Sequence, residues 1–169
     1  VSESEYGATY LLNCIDANYK DGSAKIIVKG GRFYGFNPEN NAAEGESTNF
    51  VPMGYRASIY GTVDGVDVYD VVELKATVEA GGITYYFPGV KNVDNVQELA
   101  NYYFLMQSAM GWILGYDYEP VLTLYAELTD EVVLGNTPSD DTDFTLPETV
   151  TWTIVTNGFD ADLIKAGED

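Results

Sequence analysis

The stretch Asn95 to Leu114, NVQELANYYFLMQSAMGWIL, constrains the fold of this chain more than any other. Val96, Leu99, Tyr103, Met106, Met110 and Ile113 recur at steps of three and four, the spacing that sets side chains on one face of an α-helix. Tyr102, Leu105, Ala109 and Trp112 make a second apolar stripe, which leaves Gln97, Glu98, Asn101, Gln107 and Ser108 as a thin polar seam. Such a helix has to be covered on most of its circumference. Asp94 or Asn95 can cap its start, with Gln97 or Glu98 three residues on to complete a capping box, and Gly115 stands where a left-handed residue closes a helix. The polar interruptions make it a poor membrane span, which needs about 20 predominantly apolar residues.

What surrounds the helix reads as strand. ATYLLNCI is a nearly continuous apolar run, DANYKDGSA a polar turn, and AKIIVKGGRFYGF two short strands, 24–29 and 32–36, meeting at Gly30-Gly31. Residues 37–55 are rich in Asn, Gly, Pro and Glu and read as a long ordered loop anchored by Phe50, Val51, Met53 and Tyr55. Asp64-Gly65 between Thr62-Val63 and Val66 is a two-residue hairpin signal, and Ala80-Gly81-Gly82 marks a second hairpin. EPVLTLYAEL and ETVTWTIVT alternate as strands beyond the helix, and the residues after Asn157 read as a turn and a fraying tail. No βαβ alternation is present. The expected class is therefore mainly β (α+β), an antiparallel β-sandwich or barrel-like set of sheets with one central helix at about 95–114 packed on them. A single β-rich domain over 1–169 is expected, with an N-terminal part at 1–73 and a helix-plus-sheet part at 74–169.

Charge excludes several functions. Against 8 Lys and Arg stand 27 Asp and Glu, a formal charge of −19, which opposes nucleic-acid phosphates and anionic membranes alike. Histidine is absent, so the usual general base and the commonest transition-metal ligand are missing, along with every Ser-His or Cys-His pair. The single cysteine, Cys14, can form no intrachain disulfide and lies in an apolar run, which predicts an inert buried thiol. No leader segment is legible at Val1, a start that a processed or shortened chain would also show.

The remaining chemistry is carboxylate and aromatic. Ser139-Asp140-Asp141-Thr142-Asp143 gathers hard oxygen ligands on a loop, which makes Asp140, Asp141 and Asp143 a candidate weak Ca²⁺ site; no other cofactor is expected. Asp16 to Gly22 resembles a calcium loop only superficially, because Lys20 and Asp21 occupy the positions where an EF-hand needs an oxygen ligand and a glycine. No pair among the 27 acids is marked out for glycoside hydrolysis. The 14 tyrosines suit core and interface equally, since Tyr buries a ring and keeps a polar edge. If one sheet covers the Leu99 and Tyr103 face of the helix, a second sheet or a partner subunit has to cover Tyr102, Leu105 and Trp112, which are the candidate interface.

Residues 24–55 carry the Gly30-Gly31-Arg32-Phe33 corner, Phe36-Asn37-Pro38, the Asn41 to Gly45 run, and Thr48-Asn49-Phe50-Val51 followed by Gly54-Tyr55. In these elements the segment resembles the C-terminal end of right-handed parallel β-helix proteins, which are common among surface and phage-encoded proteins of gut bacteria. Residues 141–158, through Thr151-Trp152-Thr153, resemble bacterial immunoglobulin-like surface domains. A β-helix coil needs neighbouring coils to bury its face, and this chain has no stack of them. The resemblance implies a virion or an extracellular, cell-surface setting and a terminal, capping role. The expected function is a non-enzymatic virion structural protein, such as a phage capsid decoration, fibre or tail component, that forms a homo-oligomer or joins other virion proteins. A bacterial cell-surface adhesin or pilus subunit, or a carbohydrate-binding module that takes a glycan, are the alternatives.

Overall fold

The computed structural model describes residues 2, 3, 9–103, 106, 119–135 and 151–167. It is mainly β, with a helix packed on a sheet, and divides into two compact units, Val1–Glu73 and Leu74–Asp169.

In the first unit, β1 (Ser2–Glu3) and β2 (Thr9–Tyr10) pair antiparallel, and β3 (Gly31–Tyr34), β4 (Tyr55–Val63) and β5 (Val66–Glu73) form an antiparallel sheet ordered β3-β5-β4. The β4–β5 turn is built as its dipeptide demands, with Asp64 at φ 52° and Gly65 at φ 78°, both left-handed. Of the apolar run 8–15, the described residues 9–15 are strand at β2 alone, and a one-turn helix, α1 (Asp16–Lys20), follows. Residues 25–29 are not strand: Val28 makes a backbone bond to Phe50, while Ile27 faces solvent.

The 37–55 loop is ordered by its own side chains. Asn37, Asn41 and Asn49 each accept a backbone N–H two residues on, and Asn41 and Thr48 exchange backbone bonds of 3.0 and 2.8 Å. These Asn-turns deliver Phe50 and Val51 into a core with Val28, Phe36, Ala57 and Val71, where Phe50 stacks on Phe36 and meets the edge of Tyr19. Met53 is no anchor, being 84% exposed. It sits inside a turn closed by Tyr55 N–H on the Pro52 carbonyl, with Gly54 at φ 83°, so its side chain projects away from the loop.

The second unit centres on β6 (Ala76–Ala80), flanked antiparallel by β7 (Ile83–Phe87) and β8 (Val121–Leu124); β10 (Thr153–Val155) adds to β8. The β6–β7 turn again uses two left-handed residues, Gly81 and Gly82. The helix α2 covers residues 96–103, with residue 106 also helical. Asn95 Oδ1 accepts the Glu98 N–H at 2.8 Å and Glu98 Oε2 accepts the Asp94 N–H at 2.7 Å, a capping box displaced by one residue on its return leg. Val96, Leu99, Ala100 and Tyr103 are buried against Val78, Leu122, Leu124, Val132 and Leu134, which is the face the spacing predicts. Each such large side chain contributes about 1.5–3 kcal/mol when fully buried.

Two pairings run parallel, β8 with β10 and β9 (Val132–Leu134) with β11 (Ile164–Ala166), where an all-antiparallel arrangement was expected. Residues 157–167 are accordingly no fraying tail. Asn157, at φ 52°, turns the chain and donates to the Leu124 carbonyl at 2.8 Å, and Phe159 and Ile164 pack on the core.

β9 shows how this unit closes a strand edge. Val132 N–H bonds Leu163 and Gly167 N–H bonds the Leu134 carbonyl, so Val132 and Leu134 turn their backbone groups toward β11 and Val133 turns its own the other way. There the Gln97 side chain substitutes for a strand: Val133 N–H donates to Gln97 Oε1 at 2.6 Å, and Gln97 Nε2 donates to the Val133 carbonyl at 2.9 Å. Replacing Gln97→Leu is expected to lower stability by about 1–2 kcal/mol, the net contribution of two lost bonds. Urea unfolding checks this: the midpoint falls with an unchanged slope, and an unchanged midpoint would show that water serves Val133 equally well.

Candidate functional site

Alternation along the three-stranded sheet sends Phe33, Tyr55, Ala57, Tyr69 and Val71 to the core side and Arg32, Tyr34, Ser58, Val68 and Asp70 to the opposite face. Arg32 of β3 stands directly across from Asp70 of β5. Its guanidinium forks onto the carboxylate, Nε to Oδ1 at 2.6 Å and Nη2 to Oδ2 at 2.8 Å. Between Ile59 and Gly61 the β4 register slips by one residue, and the extra residue is Tyr60. The bulge carries the Tyr60 ring under the Arg32 guanidinium, whose carbon lies 3.6 Å from the ring centroid. The hydrogen bonds from Arg32 hold the Asp70 carboxyl below its ordinary value, and those same bonds raise Arg32 further. Tyr60 and Tyr34, which follows Arg32 by two residues on β3, are both exposed.

The outer edge of β4 is the second feature. Ala57 N–H donates away from β5 to Glu39 Oε2 at 2.9 Å, so Ala57 is an outward-facing position, and Ile59, two residues on, faces the same way. Gly35 N–H takes the Asp67 carbonyl at 2.8 Å toward β3, which turns the backbone of Thr62, the residue opposite Asp67, outward as well. Among the described residues no strand lies along this edge. Its flanking side chains are apolar and exposed, Ile59 at 62% and Val63 at 47%. The nine residues of β4, YRASIYGTV, contain no acid and a single charge, Arg56. In a chain of net charge −19 that composition was a signal open to sequence reading. The Arg32, Asp70 and Tyr60 constellation was not, because nothing local tells which strands are neighbours.

The residues nominated from sequence are dispersed. Tyr102 is half-buried on the second unit's core, with its ring edge-on to Tyr85 at 5.5 Å. Leu105 and Trp112 lie outside the described residues, as do Asp140, Asp141 and Asp143. Asp16 to Gly22 forms α1 and an Asp21 turn, in which hydrogen bonds from Ser23 lower the Asp21 carboxyl. Among the described residues no three His, Cys, Asp or Glu side chains gather closely enough to hold a metal ion. Cys14 is half-buried rather than buried, and its N–H donates to Glu44 Oε1 at 2.7 Å. Burial, the Glu44 carboxylate and the charge of Asp16 push its thiol up, which keeps it protonated and slow to react.

The second unit also holds a cleft of about 420 Å³ between the start of α2 and residues 127–132, floored by Lys75 and Phe87. Part of its polar lining is engaged within the chain: Asn95 caps α2, Gln97 holds β9, and Asp130 accepts the Thr129 hydroxyl at 2.8 Å. Comparison with protein-family models, with curated proteins and with solved structures finds no match to this chain.

The Arg32–Asp70 pair gives a pH dependence of known sign. A carboxyl held low in the folded state adds stability above its unfolded value of about 3.9, and loses that contribution as pH falls through the folded value. Wild type is expected to exceed Asp70→Asn in stability at pH 6, with the gap closing below about pH 4. Thermal melts of both chains from pH 6 to pH 3 test this, and a gap independent of pH would remove the ion pair as its cause.

Proposed function

We propose that this chain is a non-enzymatic structural subunit that works by associating with further copies of itself, in the setting of a virion as a capsid decoration, fibre or tail component. The observation that carries the reading is the β4 edge, where outward backbone groups at Ile59 and Thr62 lie among exposed apolar side chains on an acid-free strand. Unpaired edges are ordinarily blunted by charge, proline or a covering segment, because they template pairing with another chain. The virion setting draws on the resemblance of residues 24–55 to the ends of phage-encoded β-helix proteins. A cell-surface adhesin or pilus subunit would use such an edge in the same way. The carbohydrate-binding reading draws on the Arg32–Asp70 fork, a planar polar pair with the exposed Tyr60 ring on its guanidinium, and on exposed Tyr34 of the same strand as Arg32.

Net charge adds a second condition. Two copies at −19 repel, and the repulsion between exposed charges weakens as the Debye length shrinks from about 30 Å at 0.01 M salt to about 8 Å at 0.15 M. Light scattering coupled to size exclusion is expected to give multiples of 18.5 kDa that rise with protein concentration and with salt. A mass of 18.5 kDa at every concentration and salt would overturn the self-association reading. Binding to a glycan array, abolished by Tyr34→Ala or Tyr60→Ala, would put the carbohydrate module in its place.

A further inference from the structure

We infer that the cleft of the second unit binds an extended aliphatic polyamine, a chain of methylenes carrying ammonium groups at separate points. This site is distinct from the β4 edge and lies in the second unit alone. At about 420 Å³ the cleft has the size of a small-molecule site. Its lining is apolar at Phe87 and Leu128, both half-buried against the core, and at Val96 and Val132. The cleft is also pre-formed. Lys75 N–H bonds the Phe87 carbonyl and Tyr125 N–H bonds the Lys75 carbonyl, each at 2.8 Å, which ties the floor to the end of β8. The two bonds between Gln97 and Val133 hold the start of α2 to β9.

Charge selects the occupant. Asp94 lines the cleft from the α2 side and Glu127, Asp130 and Glu131 from the other, against a single lining cation, Lys75. Asp130 accepts the Thr129 hydroxyl, whereas among the described residues the carboxylates of Asp94, Glu127 and Glu131 have no hydrogen-bond or ion-pair partner. Such a set of acids repels an anion and draws in a cation. A bare metal ion does not fit, because among the described residues no three acidic side chains gather closely enough to coordinate one. Carboxylates held apart across an apolar floor match a ligand whose own charges are held apart by an apolar spacer. Methylene stems lie along apolar surface while their ammonium heads stay with polar partners, as the side chain of lysine does. An α,ω-diamine has this form at both ends, and each terminal ammonium brings three donors to the carboxylate oxygens.

The test is isothermal titration calorimetry of the full chain with cadaverine, an α,ω-diamine, at about 0.15 M salt, where diffuse attraction to the net charge is screened. Saturable binding at one site per chain is expected. Pentylamine, the same carbon chain with one ammonium, is expected to bind about fivefold more weakly. Glu127→Gln combined with Glu131→Gln is expected to weaken cadaverine about fivefold, and Asp94→Asn, on the other side of the cleft, about threefold. All three acids are exposed, so these changes leave the core intact. Glu79→Gln removes the same charge from an exposed position on β6 that does not line the cleft, and is expected to leave the affinity unchanged. The pentylamine comparison needs no variant and so stands whatever a substitution does to folding. Absence of saturable binding, pentylamine binding as tight as cadaverine, or equal weakening by Glu79→Gln and the cleft variants would each overturn the site. Self-association is read separately from the mass in light scattering, so none of these outcomes bears on it.

Discussion

A strand at the edge of a sheet carries backbone donors and acceptors that need partners, and in this chain side chains supply them at Val133 and Ala57. Gln97 reaches from α2 to close Val133 and Glu39 reaches from the 37–55 loop to close Ala57, while Asn157 reaches from a turn to the Leu124 carbonyl at the end of the interior strand β8, past its pairing with β10. Each of these bonds joins residues far apart in sequence. Together they fix where the helix, the long loop and the last strands lie against their sheets, so the edge positions left without one stand out by contrast.

In the second unit this polar fixing works together with burial. Leu99, Ala100 and Tyr103 are wholly covered by β6, β8 and β9, and apolar contact of that kind is non-directional. Gln97 adds the direction, since its amide fits one backbone residue of β9 and Asn101 accepts its remaining N–H at 3.0 Å. Tyr103 in turn meets the edge of Trp152 at 5.4 Å, which brings the chain just before β10 onto the helix. In the first unit the corresponding element is the Asn-rich loop, whose internal bonds hold Phe50 under the sheet without regular secondary structure.

The sequence disclosed what is local. Asp64-Gly65 and Gly81-Gly82 announce their turns because two consecutive left-handed residues are cheap only there, and the Asn95 and Glu98 pair announces the helix start. The buried face of α2 followed from its spacing over the described residues. Strand direction did not: nothing in VLTL or TIV tells that β10 runs parallel to β8, because alternation specifies a face and not a neighbour. The segment 8–29 misled because short apolar runs look alike whether they end as strand, helix or packed loop, and α1 formed where a turn was read. The Arg32, Asp70 and Tyr60 grouping required the β3-β5 register and the bulge before it could exist at all. The calcium and interface candidates Asp140, Asp141, Asp143, Leu105 and Trp112 lie outside the described residues.

The central claim is that side chains close some strand edges of this chain while the Ile59 to Thr62 edge stays open for a second copy. Residue-resolved amide hydrogen exchange at increasing protein concentration measures this directly. Ala57 and Val133 should be protected at every concentration, and Ile59 and Thr62 should exchange rapidly when dilute and become protected as the protein is concentrated. Fast exchange at Val133, or concentration-independent protection at Ile59 and Thr62, would contradict the account.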